Sequence, residues 1–421
     1  MKEKIKAYAS FLLDRCLSIK KGEPLAISYD SYDKDFVDIV LEVARKKGIT
    51  DIYLMEFDQA KAKEILENSG VEEIKKHPYF DRSIEKEVYD KKGSILFPLS
   101  YGGKSLLSDV DKEKMKAMRY AQATTKQDAY KARGKYDFPW CIAAVASKPW
   151  ADELFPNEEN NLEKLWNLIF DITFMNEKNP LEAWERQISK NTEIKNILTD
   201  LKLTKLKYKN DIGTDIEIGL PTDVIWWGAA KKSMDGKKDL IVNVPTLEVF
   251  TAPNKDKVNG TVVSSKPLVL SSTIIDKLKL TFKDGKVTDA WASNDEETLI
   301  NMIKEFEGMD ALGEVAFVDY DSAISNTNMV FKSTLIDENA SCHLALGTGN
   351  VKSIPGGETM TNEELLKRGI NRSNNHIDFM IGTSDLSIIG TDIYGNEIPL
   401  FVDGNFALDK VKSFLKERND K

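Results

Sequence analysis

Histidine is scarce in this chain: the 421-residue sequence has only three, His77, His343 and His376. Cysteine is equally rare, and because the three cysteines lie far apart and are odd in number, we predict reduced thiols and no disulfide framework. No apolar run approaches the roughly 18 residues that a membrane-spanning helix needs, and no apolar signal core follows the charged N-terminus. These absences predict a cytoplasmic protein that does not bind membranes.

Basic residues are also fewer than acidic ones, 59 against 68. The formal net charge is −9, which argues against a general nucleic-acid-binding surface and predicts no nucleic-acid partner. Apolar residues make up 41% and charged residues 30% of the chain, a composition typical of a globular protein. Because 421 residues exceed one ordinary hydrophobic core, two domains are expected.

The first 200 residues predict an α/β/α scaffold domain with a mainly parallel sheet. Apolar runs at 24–29, 51–57 and 94–100 indicate buried strands, and helical periodicity separates them. Strand–helix–strand order implies right-handed crossovers with helices on both faces of the sheet. The segment Gly103-Lys104-Ser105 resembles the end of a phosphate-binding loop, but Pro98 stands where its first glycine belongs. We therefore expect an ordinary loop and no bound nucleotide.

Residues 201–421 predict a second, strand-rich domain. Polar and apolar residues alternate at 213–220 and again at 277–291, where Asp284-Gly285 indicates a hairpin turn. One helix is expected at 296–307. The predicted fold class is therefore α/β, with a parallel N-terminal sheet and a strand-rich C-terminal domain.

Two of the three histidines lie among carboxylates in the C-terminal third. His376 and Asp378 are two residues apart on a predicted strand, so their side chains point to the same face. Burying this pair without a partner would cost several kcal/mol, and a cation would supply the missing charge. The alternative is a simple Asp–His hydrogen bond inside a sheet.

Three glutamates extend this pattern. Glu338 lies five residues before His343, a spacing that fits neither a helix face nor a strand face, although a turn would bring the two together. Glu248 and Glu314 each stand alone in an apolar run. Each of these residues has an ordinary alternative, as an exposed glutamate, a satisfied core histidine or a structural ion-pair partner. Together, however, they form a ligand set suited to a pair of divalent ions bridged by one carboxylate.

Four segments resemble motifs of the aminopeptidase T family of cytosolic metallo-aminopeptidases, also called thermophilic metalloproteases. The segments are Asn243 to Thr251, Leu312 to Ala316, Asp337 to Gly347, and the stretch from Asn371 or Asn374 to Gly382. The resemblance runs over most of the chain and is densest from Gly213 onward. It implies a homodimer of two-domain subunits, each with an α/β N-terminal domain and a barrel-like C-terminal domain that holds two divalent metal ions.

The resemblance also implies a function and a ligand set. The function is hydrolysis of the N-terminal residue from peptide substrates, with zinc or cobalt as the metal and magnesium or manganese as alternatives. The implied metal ligands are Glu248, Glu314, Glu338, His343, His376 and Asp378. In this assignment Glu314 bridges the two ions. Glu248, His343 and Glu338 bind one ion, and His376 with Asp378 binds the other.

The chain departs from the family pattern at two positions. Leu247 replaces the first glutamate of a Pro-Thr-Glu-Glu motif, while the implied ligand Glu248 is retained. Asn350 stands where many members have a tyrosine that supports catalysis. Two alternative functions therefore stay open: another metallohydrolase, such as a deacylase or dipeptidase, and a metal-stabilised binding protein that has lost turnover.

Overall fold

The computed structural model describes residues 1–103, 105–233, 236–270 and 273–419. Lys104 of the predicted loop Gly103-Lys104-Ser105 lies outside the described residues. The helices are α1 (Lys2–Phe11), α2 (Lys34–Lys46), α3 (Gln59–Asn68), α4 (Val71–Ile74), α5 (Ser83–Asp90), α6 (Lys112–Thr125), α7 (Gln127–Gly134), α8 (Lys148–Leu154), α9 (Asn161–Ile172), α10 (Pro180–Asp200), α11 (Glu296–Glu305), α12 (Thr334–Asp337), α13 (Asn362–Lys367) and α14 (Leu408–Asn419). Among these described helices, none combines the length and the apolarity needed to cross a membrane.

The strands are β1 (Leu25–Asp30), β2 (Ile52–Phe57), β3 (Ser94–Leu99), β4 (Trp140–Ala144), β5 (Leu203–Lys209), β6 (Asp215–Gly219), β7 (Ala230–Lys232), β8 (Asp239–Ile241), β9 (Asn243–Val244), β10 (Val249–Thr251), β11 (Val258–Val263), β12 (Leu268–Leu270), β13 (Thr273–Ile275), β14 (Leu278–Lys283), β15 (Lys286–Ala292), β16 (Leu312–Phe317), β17 (His343–Gly347), β18 (His376–Met380), β19 (Ser387–Asp392), β20 (Glu397–Val402) and β21 (Asn405–Phe406). They form two compact units with the helices. The first consists of Met1–Glu185 and Ala230–Pro245, and the second of Arg186–Ala229 and Thr246–Lys421. These units are groups of closely packed residues and do not test the predicted domain bounds. The domains 1–200 and 201–421 therefore stay a prediction.

The first unit contains a five-stranded parallel sheet in the order β2-β1-β3-β4-β9. Its strands are apolar because helices cover both faces. On one face, the rings of Tyr8, Phe36, Trp166 and Phe170 pack together. On the other face, Val88 and Ala132 of α5 and α7 belong to the same apolar cluster as Ala26 and Ile95 of the sheet. The predicted α/β/α arrangement is confirmed.

The second unit is rich in antiparallel strands. Eight strands form one sheet in the order β15-β14-β11-β6-β5-β19-β20-β21, and four form another in the order β10-β16-β17-β18. The hairpin between β14 and β15 turns at Asp284 and Gly285, whose φ angles are +49° and +83°. Both values suit a tight two-residue hairpin turn, as the Asp-Gly pair predicts. Side chains from both sheets share one apolar core. The mixed α/β fold class is thus confirmed.

Candidate metal centre

The register of the four-stranded sheet aligns the candidate ligands on one face. Glu314 of β16 lies opposite Ala345 of β17, and Ala345 lies opposite Asp378 of β18. Paired residues of neighbouring strands point to the same face, as do residues two apart along a strand. His343 is two residues from Ala345, and His376 is two residues from Asp378. Four of the six candidate ligands therefore share one face of three adjacent strands.

The opposite face of these strands is apolar. Val315, Leu344 and Phe379 alternate with the polar positions, and all three are buried in the core of the second unit. Burial of each such side chain contributes about 1.5–3 kcal/mol. A slip of one residue would exchange the two faces, so packing of the apolar face also fixes the polar one.

A β-bulge at Gly313 adjusts the start of β16. Leu312 pairs with Leu346, whereas Glu314 pairs with Ala345, so one extra residue is accommodated between them. The bulge lets Leu312 join the apolar core while Glu314 stays on the polar face. A Cβ atom at Gly313 would lie 2.4 Å from the Gly347 carbonyl oxygen. Only glycine fits this position without a backbone shift.

Glu248 reaches the same site from the segment just before β10. Its Oε2 lies 3.3 Å from His343 Nε2, and Glu314 Oε1 lies 3.6 Å from the same nitrogen. Two amide side chains hold this segment. Asn191 donates to the Glu248 carbonyl oxygen at 3.1 Å, and Asn339 accepts from the Leu247 backbone N–H at 2.6 Å. The Leu247 side chain, which departs from the family motif, is itself buried.

His376 completes a second group around the other oxygen of Glu314. His376 Nε2 lies 3.1 Å from Asp378 Oδ1 and 3.9 Å from Glu314 Oε2. The described residues thus contain two overlapping groups with donor atoms close enough to share one ion. They are Glu248, Glu314 and His343 in one group, and Glu314, His376 and Asp378 in the other. Glu314 belongs to both and turns one oxygen toward each imidazole.

Backbone carbonyl groups orient both imidazole rings. His343 Nδ1 lies 3.3 Å from the Ser341 carbonyl oxygen, and His376 Nδ1 lies 2.9 Å from the Thr348 carbonyl oxygen. Because a carbonyl oxygen can only accept, each Nδ1 carries a hydrogen and each Nε2 faces the carboxylates. His343 Nε2 is a buried atom without a hydrogen-bond partner in the described structure. In a neutral ring it would direct a lone pair at two carboxylates, which is the arrangement that a metal ion satisfies.

The electrostatics of the metal-free cluster reflect an excess of buried carboxylates. Burial, together with the neighbouring acids, raises the pKa of Glu314. Burial opposes charge on both histidines, but the carboxylates around them outweigh it, raising the pKa of His343 well above its usual value and that of His376 to about 10. Burial alone would raise the pKa of Asp378, but the two imidazoles outweigh this effect and lower it. In the metal-free protein, protons bound to Glu314 and to the two imidazoles therefore offset part of the negative charge of the cluster.

Glu338 lies beside the cluster, but among the described residues it belongs to neither of the two ligand groups. It begins a 3₁₀ turn, Glu338–Ala340, and its Oε1 accepts weakly from Asn339 Nδ2 at 3.5 Å. Burial first, then the charges of Asp378 and Glu248, raise the pKa of Glu338 well above its usual value. The structure therefore brings five of the six predicted residues into contact and places the sixth nearby.

Several supporting residues were not predicted from the sequence. The carbonyl groups of Ser341 and Thr348 orient the imidazoles, and Gly313 accommodates the bulge. A lone glycine inside an apolar strand is a known signal of a bulge, so Gly313 was detectable. The carbonyl contacts were not, because any residue type can supply them. At Asn350, Oδ1 accepts from the Lys352 backbone N–H at 3.0 Å and caps the 3₁₀ turn Val351–Ser353.

Comparison with known proteins finds similar proteins that align with almost the whole chain. The model of the thermophilic metalloprotease (M29) family matches residues 1–406. Aminopeptidase AmpS of Bacillus subtilis is 34% identical over 407 residues, covering 96% of this chain and 98% of that protein. Aminopeptidase PepS of Streptococcus thermophilus is 32% identical, covering 97% and 98%. The structure of AmpT from Thermus thermophilus is 30% identical with a TM-score of 0.86, and the match covers 96% of this chain and 99% of AmpT.

Proposed function

Because this chain belongs to the thermophilic metalloprotease (M29) family, as its motifs predict, we propose that it is a metal-dependent aminopeptidase that removes N-terminal residues from peptides. Its relatives AmpS and PepS are named aminopeptidases and align over nearly their full lengths. The alignment includes the segments that carry the acid–histidine cluster. Peptides with a free amino terminus are the substrates that this assignment implies.

One observation supports a dinuclear site above all others. Glu314 directs Oε1 toward His343 Nε2 at 3.6 Å and Oε2 toward His376 Nε2 at 3.9 Å. A carboxylate with one oxygen in each of two ligand groups is suited to bridge two ions. We propose Glu314 as that bridge, with Glu248, His343 and Glu338 on one ion and His376 and Asp378 on the other.

The charge of the cluster also favours two ions over one. Glu248, Glu314, Glu338 and Asp378 supply four negative charges when the two imidazoles are neutral. Two divalent ions balance these charges fully, whereas one would leave a net charge of −2 in a largely buried site. The mixed nitrogen and oxygen donors suit zinc or cobalt, with manganese or magnesium as alternatives.

The chain's own groups prepare this site for hydrolysis. Divalent ions in such a site supply Lewis acidity, which lowers the pKa of water and polarises a peptide carbonyl group. The Ser341 and Thr348 carbonyls keep a proton on each Nδ1, so that each Nε2 presents its lone pair. The apolar side of the sheet holds the ligands in place because it packs into the core. Pre-organisation of this kind limits the movement needed during the reaction.

Metal removal and restoration test this proposal. Protein stripped with EDTA is assayed with aminoacyl p-nitroanilides, then again after cobalt or zinc is added and the bound ions are counted. We expect two ions per chain, loss of turnover on stripping and recovery on addition. Activity that survives complete metal removal would exclude the mechanism.

N-acetylated substrates provide the matched control. An aminopeptidase should leave them uncut, whereas a deacylase would release the acetyl group. A wild type that binds two ions but has no turnover would instead favour the binding-protein alternative. That alternative draws on Asn350, whose amide replaces a phenol and whose Oδ1 already caps a turn. If Asn350→Tyr restored turnover to a silent wild type, the loss would be assigned to this position.

Two further expectations remain, a homodimer implied by the resemblance and a cytoplasmic location predicted from the sequence. A homodimer is predicted, and sedimentation of the purified protein would test it. The cytoplasmic location also stays a prediction, which cell fractionation would test.

A further inference from the structure

A second cluster of buried charge lies in the first unit, around a cavity of about 510 Å³. Ser28 of β1, Phe57 of β2 and Phe97 of β3 contribute its floor, and residues of α5, α6 and α7 contribute its walls. A cavity of this volume is large enough for a small organic ligand.

The position of the cavity in the sheet is the usual one for a ligand. In the order β2-β1-β3-β4, the chain reverses its direction of progress between β1 and β3. Parallel sheets commonly bind ligands at such a reversal, near the carboxyl ends of the strands. Ser28 and Phe97 lie on these two strands, in their C-terminal halves. Toward the amino ends, the same face is filled by Ala26 and Ile95.

Three cationic side chains line this cavity, and they share one buried carboxylate. Arg82 is 9% exposed and Glu85 only 2%. Arg133 Nη2 lies 3.6 Å from Glu85 Oε2, the closest approach between these groups. Glu85 is the strongest anionic neighbour of Arg82, Lys126 and Arg133 alike, while Arg82 also interacts with the exposed Asp81. The cavity therefore carries an excess of positive charge.

The polar atoms inside are incompletely satisfied. Arg133 Nε and Glu85 Oε2 are both buried without a hydrogen-bond partner in the part of the chain that the structure describes. Burial lowers the pKa of Arg82, Lys126 and Arg133, which is the expected result for cations removed from water. A buried guanidinium with an unsatisfied N–H and only a shared counter-charge is costly, and a bound anion would relieve that cost.

Aromatic rings complete the wall. The Arg133 guanidinium lies 4.7 Å from the centre of the Phe97 ring, and the Arg82 guanidinium lies 6.0 Å from that of Phe57. Cation–π attraction of this kind holds a guanidinium group against the ring face. An apolar group of a ligand would find aromatic contacts beside the cations.

We propose that this cavity binds a small organic dianion, a phosphate monoester or a dicarboxylate, whose apolar portion packs against Phe57 and Phe97. Arg82 and Arg133 bind the anionic group, because guanidinium donors match phosphate and carboxylate oxygens in pairs. Lys126 adds a third positive charge. With Glu85 counted, the net charge of +2 is balanced by a dianion. This site is separate in sequence from the acid–histidine cluster and does not depend on the proposed hydrolase function.

Calorimetry on the full-length, metal-loaded protein tests the proposal. The probes are phenyl phosphate and phenylsuccinate as dianions, inorganic phosphate, and benzyl alcohol as a neutral comparison. We expect saturable binding of at least one of the two organic dianions, with an affinity at least about tenfold higher than that of benzyl alcohol. The dianion that binds more tightly identifies the preferred anionic group. Equal or absent binding of all four probes would overturn the proposal.

Variants locate the binding site. Arg133→Gln and Arg82→Gln should each weaken the dianion about tenfold or more, because each removes a charged hydrogen-bond donor. Glu85→Gln should strengthen it, because it removes the competing carboxylate. Arg119→Gln, an exposed cation on α6, should leave affinity unchanged. If the arginine variants do not fold, the Glu85→Gln result decides, and unchanged affinity there would overturn the proposal.

A metal-free titration separates this site from the metal centre. Dianion binding that is retained after EDTA treatment supports the cavity. Binding that disappears on stripping belongs to the acid–histidine cluster and contradicts the proposal. The two sites can therefore fail independently.

Discussion

Two regions of this chain bury charge of opposite sign, and they are built differently. The acid–histidine cluster stands on three adjacent strands, where Glu314, His343 and Asp378 are fixed by sheet register. The cationic cavity instead uses Arg82, at the start of α5, and Arg133, near the end of α7, whose long side chains rest on aromatic rings. Short ligands on strands suit an ion that demands fixed distances. Long, adaptable side chains suit an organic molecule.

The comparison also shows how each excess of charge is tolerated without a ligand. In the cluster, protons compensate, since the Glu314 carboxylate and the His343 imidazole both gain affinity for them. In the cavity, no equivalent is available, because a guanidinium group does not release its proton near neutral pH. Arg82 and Arg133 rely on Glu85 and on ring contacts. The cluster should therefore respond to pH, and the cavity to anions.

The largest effect is expected from Glu314→Gln. The substitution keeps the shape of the side chain but removes the charge and one of the two oxygens that face the imidazoles. Even groups that only support a metal ligand contribute about 10–100-fold in metal affinity or activity, so loss of a bridge should cost more than about 100-fold. Bound ions per chain and kcat/KM are the measurements.

Glu217→Gln is the matched control for that substitution. Glu217 lies on β6 with its side chain 45% exposed, paired with Lys205. Surface ion pairs contribute about 0–1 kcal/mol, so metal content and turnover should match wild type. A Glu314→Gln protein that still holds two ions would refute the bridging assignment.

Gly313→Ala should have the next largest effect, on stability and on the site together. The added Cβ would lie 2.4 Å from the Gly347 oxygen and 2.5 Å from the Thr348 oxygen, both backbone atoms. Overpacking of this kind costs about 1–3 kcal/mol, and displacement of the Thr348 carbonyl would disturb His376. Urea unfolding and kcat of the folded fraction are the measurements.

Gly134→Ala serves as the control, because an added Cβ at Gly134 meets nothing within 4 Å. Gly134 ends helix α7, where alanine is favoured over glycine by about 0.5–1 kcal/mol. The two glycine substitutions should therefore change stability in opposite directions. Equal effects would show that the bulge is not under steric constraint.

The strands around Gly313 also show which features could be predicted from the sequence and which could not. Local patterns predicted the strands, the Asp284-Gly285 turn and the two-residue spacing of His376 and Asp378, because each depends on neighbouring residues. The four motifs predicted the family, and the resemblance implied its metal ligands. The pairing of Glu314 with Ala345 was not predictable, since register joins segments 31 residues apart through packing of the whole core.

The cationic cavity was missed for the same reason. Its lining residues come from separate elements between β1 and α7, and the charged ones, Arg82, Glu85, Lys126 and Arg133, look like ordinary surface residues in the sequence. The N-terminal domain was accordingly predicted to be only a scaffold. The absence of a glycine-rich phosphate loop was informative about one kind of anion site, but not about a site built from arginine side chains.

A pH series should give opposite slopes with and without metal. In the metal-free protein, the pKa values of Glu314, Glu338, His343 and His376 are all raised in the folded state. The folded state then binds more protons than the unfolded state, so stability falls as pH rises. For His376 this window runs from its ordinary pKa of 6.5 to a folded-state pKa of about 10. With metal bound, the ligands are already deprotonated, and stability should instead rise from pH 5 toward about 7.

Thermal unfolding midpoints in EDTA and in zinc measure this difference, since each kcal/mol moves the midpoint by roughly 2–4 °C. His376→Gln is the control in EDTA and should flatten the decline at the alkaline end. The effect of this residue is modest because its side chain is 32% exposed and partly screened by water. Parallel slopes in the two conditions would contradict the protonated, metal-free cluster.

The smallest predicted effect concerns the cavity without a ligand. Lys126→Met keeps the length of the side chain but removes a partly buried positive charge whose pKa is lowered by burial. We expect a gain in stability of about 1 kcal/mol or less, together with weaker binding of the organic dianion. Because the folded pKa of Lys126 lies below its unfolded value, the cost of its charge decreases as pH rises toward that value. The stability difference between variant and wild type should therefore shrink from pH 7 to pH 10. Lys116→Met, at an exposed position of α6, should show neither the gain nor this dependence on pH.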